Sequence, residues 1–349
     1  MIQKFRDCCV QENYIWYIHT YVNALMRYNI QSEKTEFVDI LPINYANGEN
    51  SLFCRIIYIN DVLYFIPNQN RNILMYKIEE HRFIWINSQD DLQLPLYGLF
   101  RDGYMVDNNI ICIPSAYPDL IELKTDKNSI EKLLEWRKLD DKYKDAWIGD
   151  WTKTDNGIAL LVQPFGEIIL FSLHDRKSNV IMFDEESKFS TLGCIDRNLY
   201  IRDTKQRSIW QLNIDTLEKC QCLDRFCEDY LIHNMGCHMM LDDIFSGENY
   251  IVDKDWNLIH KYKTCNDKIQ EGYAYFNMSD DMRYQGCWLY YDNTSQNLLM
   301  YNEMGKLVNI KKIIYNNSYP QLTRLINECD NLLREDRIIG LDDLIKSLI

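Results

Sequence analysis

The sequence predicts an all-β fold: a seven-bladed β-propeller of four-stranded antiparallel blades with a short helical extension at its C-terminus. Three observations lead there. One strand–loop–strand unit recurs seven times along the 349 residues. Its second strand returns every 40–49 residues, too long a period for a hairpin and suited to a four-stranded blade. No Pro/Gly/Ser-rich linker or low-complexity stretch interrupts the series. The expected boundaries are a propeller over residues 1–315 and a helical extension over 316–349.

The unit is clear in "YFIPNQNRNILMYKI" (residues 64–78), where an apolar strand, a polar loop and an alternating apolar strand follow in turn. The first copy is "NYIWYIHTYVNALMRYNI" (13–30). Those after the quoted one are "NNIICIPSAYPDLIELK" (108–124), "GIALLVQPFGEIILFSL" (157–173), "RNLYIRDTKQRSIWQLNI" (197–214), "ENYIVDKDWNLIHKY" (248–262) and "GCWLYYDNTSQNLLMYN" (286–302). The loops carry Pro, Gly, Asn, Asp and Ser, the residues of tight reversals. Second strands are expected to start near Asn23, Asn72, Asp119, Glu167, Ser208, Asn257 and Asn297.

Flanking strands complete each blade as A, B, C and D, the repeated unit being B, its hairpin and C. "LFCRIIYIN" (52–60) and "RFIWIN" (82–87) are A and D of the second blade. "TEFVDIL" (35–41), "IEKLLEW" (130–136) and "NVIMF" (179–183) are D strands of the first, third and fourth. A twisted four-stranded sheet cannot bury both faces alone, whereas seven arranged radially bury each face against a neighbour. That is why B and C are apolar almost throughout. "KFRDCCV" (4–10) reads as strand A of the first blade and "KLVNIKKII" (306–314) as strand D of the last, so no blade is shared between the ends. Ring closure is then expected from packing of the first blade on the last. The competing architecture, two β-sandwiches of about 150 residues each, does not account for a period that runs through the whole chain.

The period and strand pattern over residues 4–315 resemble bacterial β-propellers of the broad kelch, quinoprotein-like and virginiamycin-lyase-like kind. There is no WD-type blade ending and no kelch double glycine. The resemblance implies that the B–C loops and the D–A connections share one face, with ligands at the mouth of the central channel. Residues expected on that face include Tyr21, Arg71, Tyr117, Phe165, Arg202 and Trp256 from B–C loops. Arg101, Trp147, Asp150 and Trp151 are expected from the D–A connections and the starts of strand A, together with Met235 and His238. Tyr, Trp and Arg dominate binding hot spots because they combine contact area with directional polar groups. The expected function is therefore non-catalytic: a binding or scaffolding propeller for a protein, a peptide or a glycan, with no cofactor.

The totals agree with such a module. Apolar residues make up 46% of the chain, enough for a large core, and 38 Lys and Arg against 52 Asp and Glu give a formal charge of −14. An acidic chain is poorly matched to nucleic-acid phosphates. Apolar runs of seven or eight residues are too short to span a membrane, and the N-terminus lacks the pattern of a signal peptide. A cytoplasmic location is expected, with the twelve Cys reduced. Richness in Asn, Ile, Asp, Lys and Tyr suggests an AT-rich, bacterial coding genome. In the tail, Leu322, Leu325, Ile326, Cys329, Leu332 and Leu333 trace an amphipathic helix behind Pro320. A second short helix, with Leu341, Leu344, Ile345, Leu348 and Ile349 apolar, is a candidate docking element for a partner.

Few residues point to catalysis. No Gly-x-Ser-x-Gly elbow, Walker A motif or Gly-x-Gly-x-x-Gly run occurs. Six His are present. "HNMGCH" (233–238) groups His233, Cys237 and His238, and "CQCLDRFC" (220–227) groups Cys220, Cys222 and Cys227. Either set carries metal-ligating side chains, though strand alternation sends His233 and His238 to opposite faces. Cys237 and His238, as sequence neighbours on a strand, are expected not to face each other. "LDDIFSGEN" (241–249) carries paired carboxylates and resembles a cation loop without the Asp/Asn alternation of an EF-hand; an A–B hairpin turn with solvated acids explains it equally well. The alternative function is a metal-dependent lyase or hydrolase at the channel mouth. The resemblance implies a channel-mouth His base with a metal for such an enzyme, and only the 233–238 cluster offers one.

Overall fold

Seven four-stranded antiparallel sheets follow one another along the chain, each with its strands in sequence order. A computed structural model describes residues 8–19, 24–42, 53–68, 72–86, 98–183, 188–223, 230–243, 248–263, 282–292 and 297–312, together with Pro320 and Arg324. Strands A to D of blade 1 are Cys8–Gln11, Tyr14–Ile18, Ala24–Asn29 and Lys34–Ile40; those of blade 2 are Phe53–Ile59, Val62–Pro67, Ile73–Lys77 and Arg82–Ile86. Blade 3 comprises Phe100–Val106, Asn109–Pro114, Leu120–Lys124 and Ser129–Leu134, and blade 4 Trp147–Thr154, Gly157–Gln163, Glu167–Ser172 and Ser178–Ile181. Blade 5 comprises Phe189–Ile195, Asn198–Asp203, Ser208–Asn213 and Lys219–Leu223, and blade 6 Tyr230–Met235, His238–Asp243, Glu248–Val252 and Leu258–Lys263. Blade 7 is Arg283–Tyr284, Cys287–Asp292, Asn297–Tyr301 and Leu307–Lys312.

The core lies in the seams between blades. Every hydrophobic cluster joins side chains of adjacent sheets, as where Tyr64 and Ile66 of blade 2 meet Ile110 and Cys112 of blade 3. Middle strands are buried on both faces, like strand B of blade 4 from Gly157 to Val162, whereas outer strands such as Ser129–Leu134 are half-exposed. Two-residue turns join A to B. Asn60–Asp61 and Asp107–Asn108 have φ of 48° and 61°, and 48° and 63°, the type I′ geometry that matches strand twist and favours Asn and Asp.

Closure follows the expected plan. Blades 1 and 7 are separate sheets whose side chains merge in one cluster. The Tyr284 hydroxyl donates to Asn13 Oδ1 at 3.1 Å. Lys311 Nζ donates to the Ile30 carbonyl at 2.7 Å and pairs with Glu33 at 3.0 Å.

Blade 6 differs from the sequence reading. Its strand C starts at Glu248 and not near Asn257, so "ENYIVDKDWNLIHKY" holds strands C and D. Residues 253–257 form the C–D turn, where Asp253 Oδ1 accepts from the Asp255 and Asn257 amides at 2.9 Å each. Asp242 and Asp243 end strand B, so the stretch after them is a B–C connection, not an A–B turn. Tyr21, Arg71 and the expected C-terminal helices, apart from Pro320 and Arg324, lie outside the described residues. No helix among the described residues is long and apolar enough to cross a membrane.

Candidate functional site at the B–C loop end

Strand A is the inner edge of each blade, and its outward N–H groups need partners from elsewhere. In blades 2 to 5 a β-bulge sits at the same place near its start: between Phe53 and Arg55, Phe100 and Asp102, Ile148 and Asp150, and Phe189 and Thr191. A bulge re-aims the residues around it, and here the residue after each bulge joins a polar belt across the blades. Arg55 Nε lies 3.8 Å from Asp102 Oδ1, both side chains buried. Trp151 Nε1 donates to Asp102 Oδ2 at 3.2 Å. Asp150 Oδ2 accepts from Thr191 Oγ1 at 2.7 Å and from the Leu192 amide at 3.0 Å. The Ile232 amide donates to Thr191 Oγ1 at 3.2 Å. One chain of contacts thus runs from blade 2 to blade 6, and side chains cap the amides of the inner edge.

Arg101 stands where this belt meets solvent. It is the bulged residue of blade 3, and its Nη2 lies 3.5 Å from Asp150 Oδ1 with 31% of the side chain exposed. The Trp151 ring beside it stacks on Tyr104 at 5.2 Å. Burial, with the Glu122 carboxylate nearby, holds the Tyr104 phenol well above its usual range. Trp147 is half-buried at the start of the same strand as Trp151.

Outside the belt, the link from blade 3 to blade 4 folds into two 3-10 turns, Trp136–Lys138 and Asp141–Asp145. Asp140 caps the second by accepting from the Lys142 amide. An aromatic path crosses this link. Phe100 stacks on Tyr117 at 4.7 Å, Trp136 Nε1 donates to the Tyr117 carbonyl at 2.8 Å, and Trp136 and then Phe165 flank Tyr143 at 6.3 and 5.9 Å. The Tyr143 hydroxyl donates to Glu167 Oε2. Burial and that bond push its pKa up. Lys142 pairs with Glu167 at 2.6 Å and sits 5.5 Å from the centre of the Phe165 ring. Phe165 is 41% exposed.

The structure thus gathers Arg101, Trp147, Asp150 and Trp151 on blades 3 and 4, with Phe165 at the nearby B–C turn. Tyr117 and Arg202 are also at this end, but both are buried. Tyr117 supports the aromatic path, and the Arg202 guanidinium lies 4.6 Å over the Tyr230 ring. Trp256 is not on this face. It sits in the C–D turn of blade 6 at the opposite end, with φ of 61° and its ring edge-to-face with Tyr200 at 5.6 Å. Met235 and His238 flank an A–B turn, also at that end. Asp102, Thr191, Lys142 and Tyr143 escaped the sequence reading. The signal for the first two is a recurring triplet of a large apolar residue, any residue, then a polar one: Phe53-Cys54-Arg55, Phe100-Arg101-Asp102, Ile148-Gly149-Asp150 and Phe189-Ser190-Thr191.

Metal-ligating groups are sparse. Among the described residues no three His, Cys, Asp or Glu side chains come together as a metal site. His233 Nε2 lies 3.9 Å from Asp242 Oδ2 in a buried pair, and neither atom has a hydrogen-bond partner among the described residues. Cys237 Sγ and His238 Nδ1 do meet, at 3.2 Å, because Cys237 is in a turn and not on a strand. Cys8, Cys9, Cys112 and Cys194 are buried, and burial raises the pKa of the Cys194 thiol to about 12.

No protein-family model matches the chain, and no curated protein matches it. Solved structures do. Virginiamycin B lyase from Staphylococcus aureus is 11% identical, with 86% of this chain and 92% of that one covered and a TM-score of 0.57. A catalytically inactive form of that lyase with quinupristin is 10% identical over 88% and 94%, with a TM-score of 0.58. Hsv2 from Kluyveromyces lactis is 11% identical over 89% and 100%, with a TM-score of 0.50. At such identities the likeness is one of fold: the chain is an all-β seven-bladed propeller of the kind seen in virginiamycin B lyase.

Proposed function

We propose that the chain is a non-catalytic binding or scaffolding propeller that grips a protein, peptide or glycan partner on the B–C loop end of blades 3 and 4. The observation that carries this reading is Arg101. Asp150 holds its guanidinium in place, yet 31% of the side chain faces solvent, and Trp147, Trp151 and the exposed Phe165 ring lie on the same end. A pre-positioned Arg among aromatic side chains is the composition of a hot spot, and holding it in advance lowers the ordering cost of binding. Trp151 is tied down by Asp102 and Tyr104, and the solvent-facing Arg101 and Phe165 are the groups placed to touch a partner.

The test compares wild type with the Arg101→Ala/Phe165→Ala variant, each recovered from the host lysate and weighed by native mass spectrometry with metal analysis. A partner at fixed stoichiometry on wild type, lost from a variant that melts normally, supports the reading. A partner retained by the variant moves the site elsewhere. A second reading, a metal-dependent lyase or hydrolase, is favoured by the buried His233–Asp242 pair, whose facing atoms have no hydrogen-bond partner among the described residues. A stoichiometric metal with no protein partner would select it.

A further inference from the structure

At the opposite end of the ring, the turns of blades 2 and 3 enclose a groove of about 650 Å³, within the ~300–1,000 Å³ of small-molecule sites. We propose that this groove binds a neutral saccharide. It is separate from the B–C loop end and does not depend on the function proposed for that face.

The floor is apolar with one polar group. Ile59, Val62 and Tyr64 line it. Tyr64 is only 3% exposed, its ring belongs to the seam between blades 2 and 3, and its hydroxyl makes no hydrogen bond among the described residues. Unlike the hydroxyls of Tyr17, Tyr28, Tyr104 and Tyr301, that of Tyr64 is not sealed in the core, and a water or a ligand hydroxyl in the groove can pair with it. Burial raises its pKa, so it remains a neutral donor and acceptor.

The rim is rigid and rich in hydrogen-bonding groups. Type I′ turns place Asn60 on one side and Asp107 on the other. Thr125 Oγ1 donates to the Asn108 carbonyl at 2.6 Å and ties the C–D turn of blade 3 to its A–B turn. Lys124 is engaged by Glu122 at 2.7 Å. Asp107, Asp126 and Lys127 form no ion pair among the described residues. An anion such as phosphate would therefore meet one uncommitted ammonium against two carboxylates, which disfavours it. An apolar ligand would strand the carboxylates and amides. A neutral sugar suits both parts: its vicinal hydroxyls match carboxylate and amide side chains two at a time, and its C–H face suits the floor.

The experiment is saturation-transfer NMR on the full chain with maltose, cellobiose, lactose and the methyl glycosides of glucose, galactose, mannose and N-acetylglucosamine, beside phosphate and glutamate as charged controls. Titration follows for any ligand that binds. The expected result is saturable binding of at least one neutral saccharide and none of the controls. Tyr64→Phe, which removes only the hydroxyl, is expected to bind about fivefold more weakly, the size of one lost hydrogen bond, with an unchanged melting temperature. Asp126→Ala on the exposed turn tests the rim without touching the core and is expected to weaken binding likewise. The proposal is overturned if no saccharide binds, if phosphate or glutamate binds instead, or if binding is indifferent to both substitutions.

Discussion

Replacing Asp150 by Ala tests whether the polar belt holds the inner edges of the blades together. Asp150 is 9% exposed and Thr191 and Leu192 are 0% and 1% exposed. Its Oδ2 takes the Thr191 hydroxyl and the Leu192 amide. Hydrogen bonds to a charged acceptor contribute about 1.5–3 kcal/mol each, and buried donors left without a partner cost about 1–3 kcal/mol. The Arg101 pair adds little, because a half-exposed ion pair is screened to ~1 kcal/mol or less. Asp150→Ala is therefore expected to destabilise the protein by about 3–5 kcal/mol, and Asp150→Asn, which keeps an acceptor oxygen, by about 1–2 kcal/mol. Urea unfolding at pH ~7 gives the values, and a cycle with Thr191→Val isolates the shared bond. Residues in one network couple by about 0.5–3 kcal/mol. A loss below about 1 kcal/mol for Asp150→Ala, or strict additivity with Thr191→Val, would refute the belt as a structural unit.

Two further outcomes follow from the same geometry. A Cβ on Gly193 would stand 2.4 Å from Ile232 Cγ2 and 3.2 Å from Asn234 Oδ1. A β-branched neighbour has little freedom to move aside, so Gly193→Ala is expected to cost about 1–3 kcal/mol, read as a lowered melting temperature; an unchanged one would show that the seam between blades 5 and 6 yields. His19 is buried, and burial lowers its pKa from 6.5 to about 4. The unfolded chain takes up that proton first as pH falls, so the contribution is intact above pH ~6.5 and is lost progressively down to pH ~4, about 3 kcal/mol in all. The gap in unfolding free energy between these two pH values is expected to shrink by that order in His19→Gln, and an unaltered gap would mean that His19 does not fold as the neutral imidazole.

The apolar B–C units made the ring legible, because strands buried on both faces write long apolar runs into the sequence. Blade 6 was misaligned for a physical reason. Its strand B, His238–Asp243, ends in two acids, and its C–D turn, Asp253-Lys254-Asp255-Trp256-Asn257, has the turn-forming composition of a B–C loop. The sequence pattern therefore reads one hairpin as the next and sets Trp256 at the wrong end of the ring. The belt was illegible pair by pair: Asp150 meets Thr191 41 positions later, and Asp102 meets Trp151 49 positions later. Contacts at the repeat distance look like ordinary polar residues until the blades are stacked.

That stacking also bears on the proposed binding site, because Arg101 reaches solvent while its neighbour Asp102 is buried. The Cα register with strand B skips the bulged residues Cys54, Arg101, Gly149 and Ser190. Their side chains differ from blade to blade: a thiol, a guanidinium, no side chain where a Cβ would stand 2.4 Å from Gln163 Cγ, and a hydroxyl. The next position is constrained by its belt contacts and stays polar in all four blades: Arg55, Asp102, Asp150, Thr191. Chemistry that varies from blade to blade on a fixed frame is what a recognition surface requires, since a ligand lacks the sevenfold repeat of the ring. The one bulge that carries a charge is also the one tethered, through Asp150, to the next blade. Arg101 therefore combines a position that reaches solvent with a guanidinium the fold holds still.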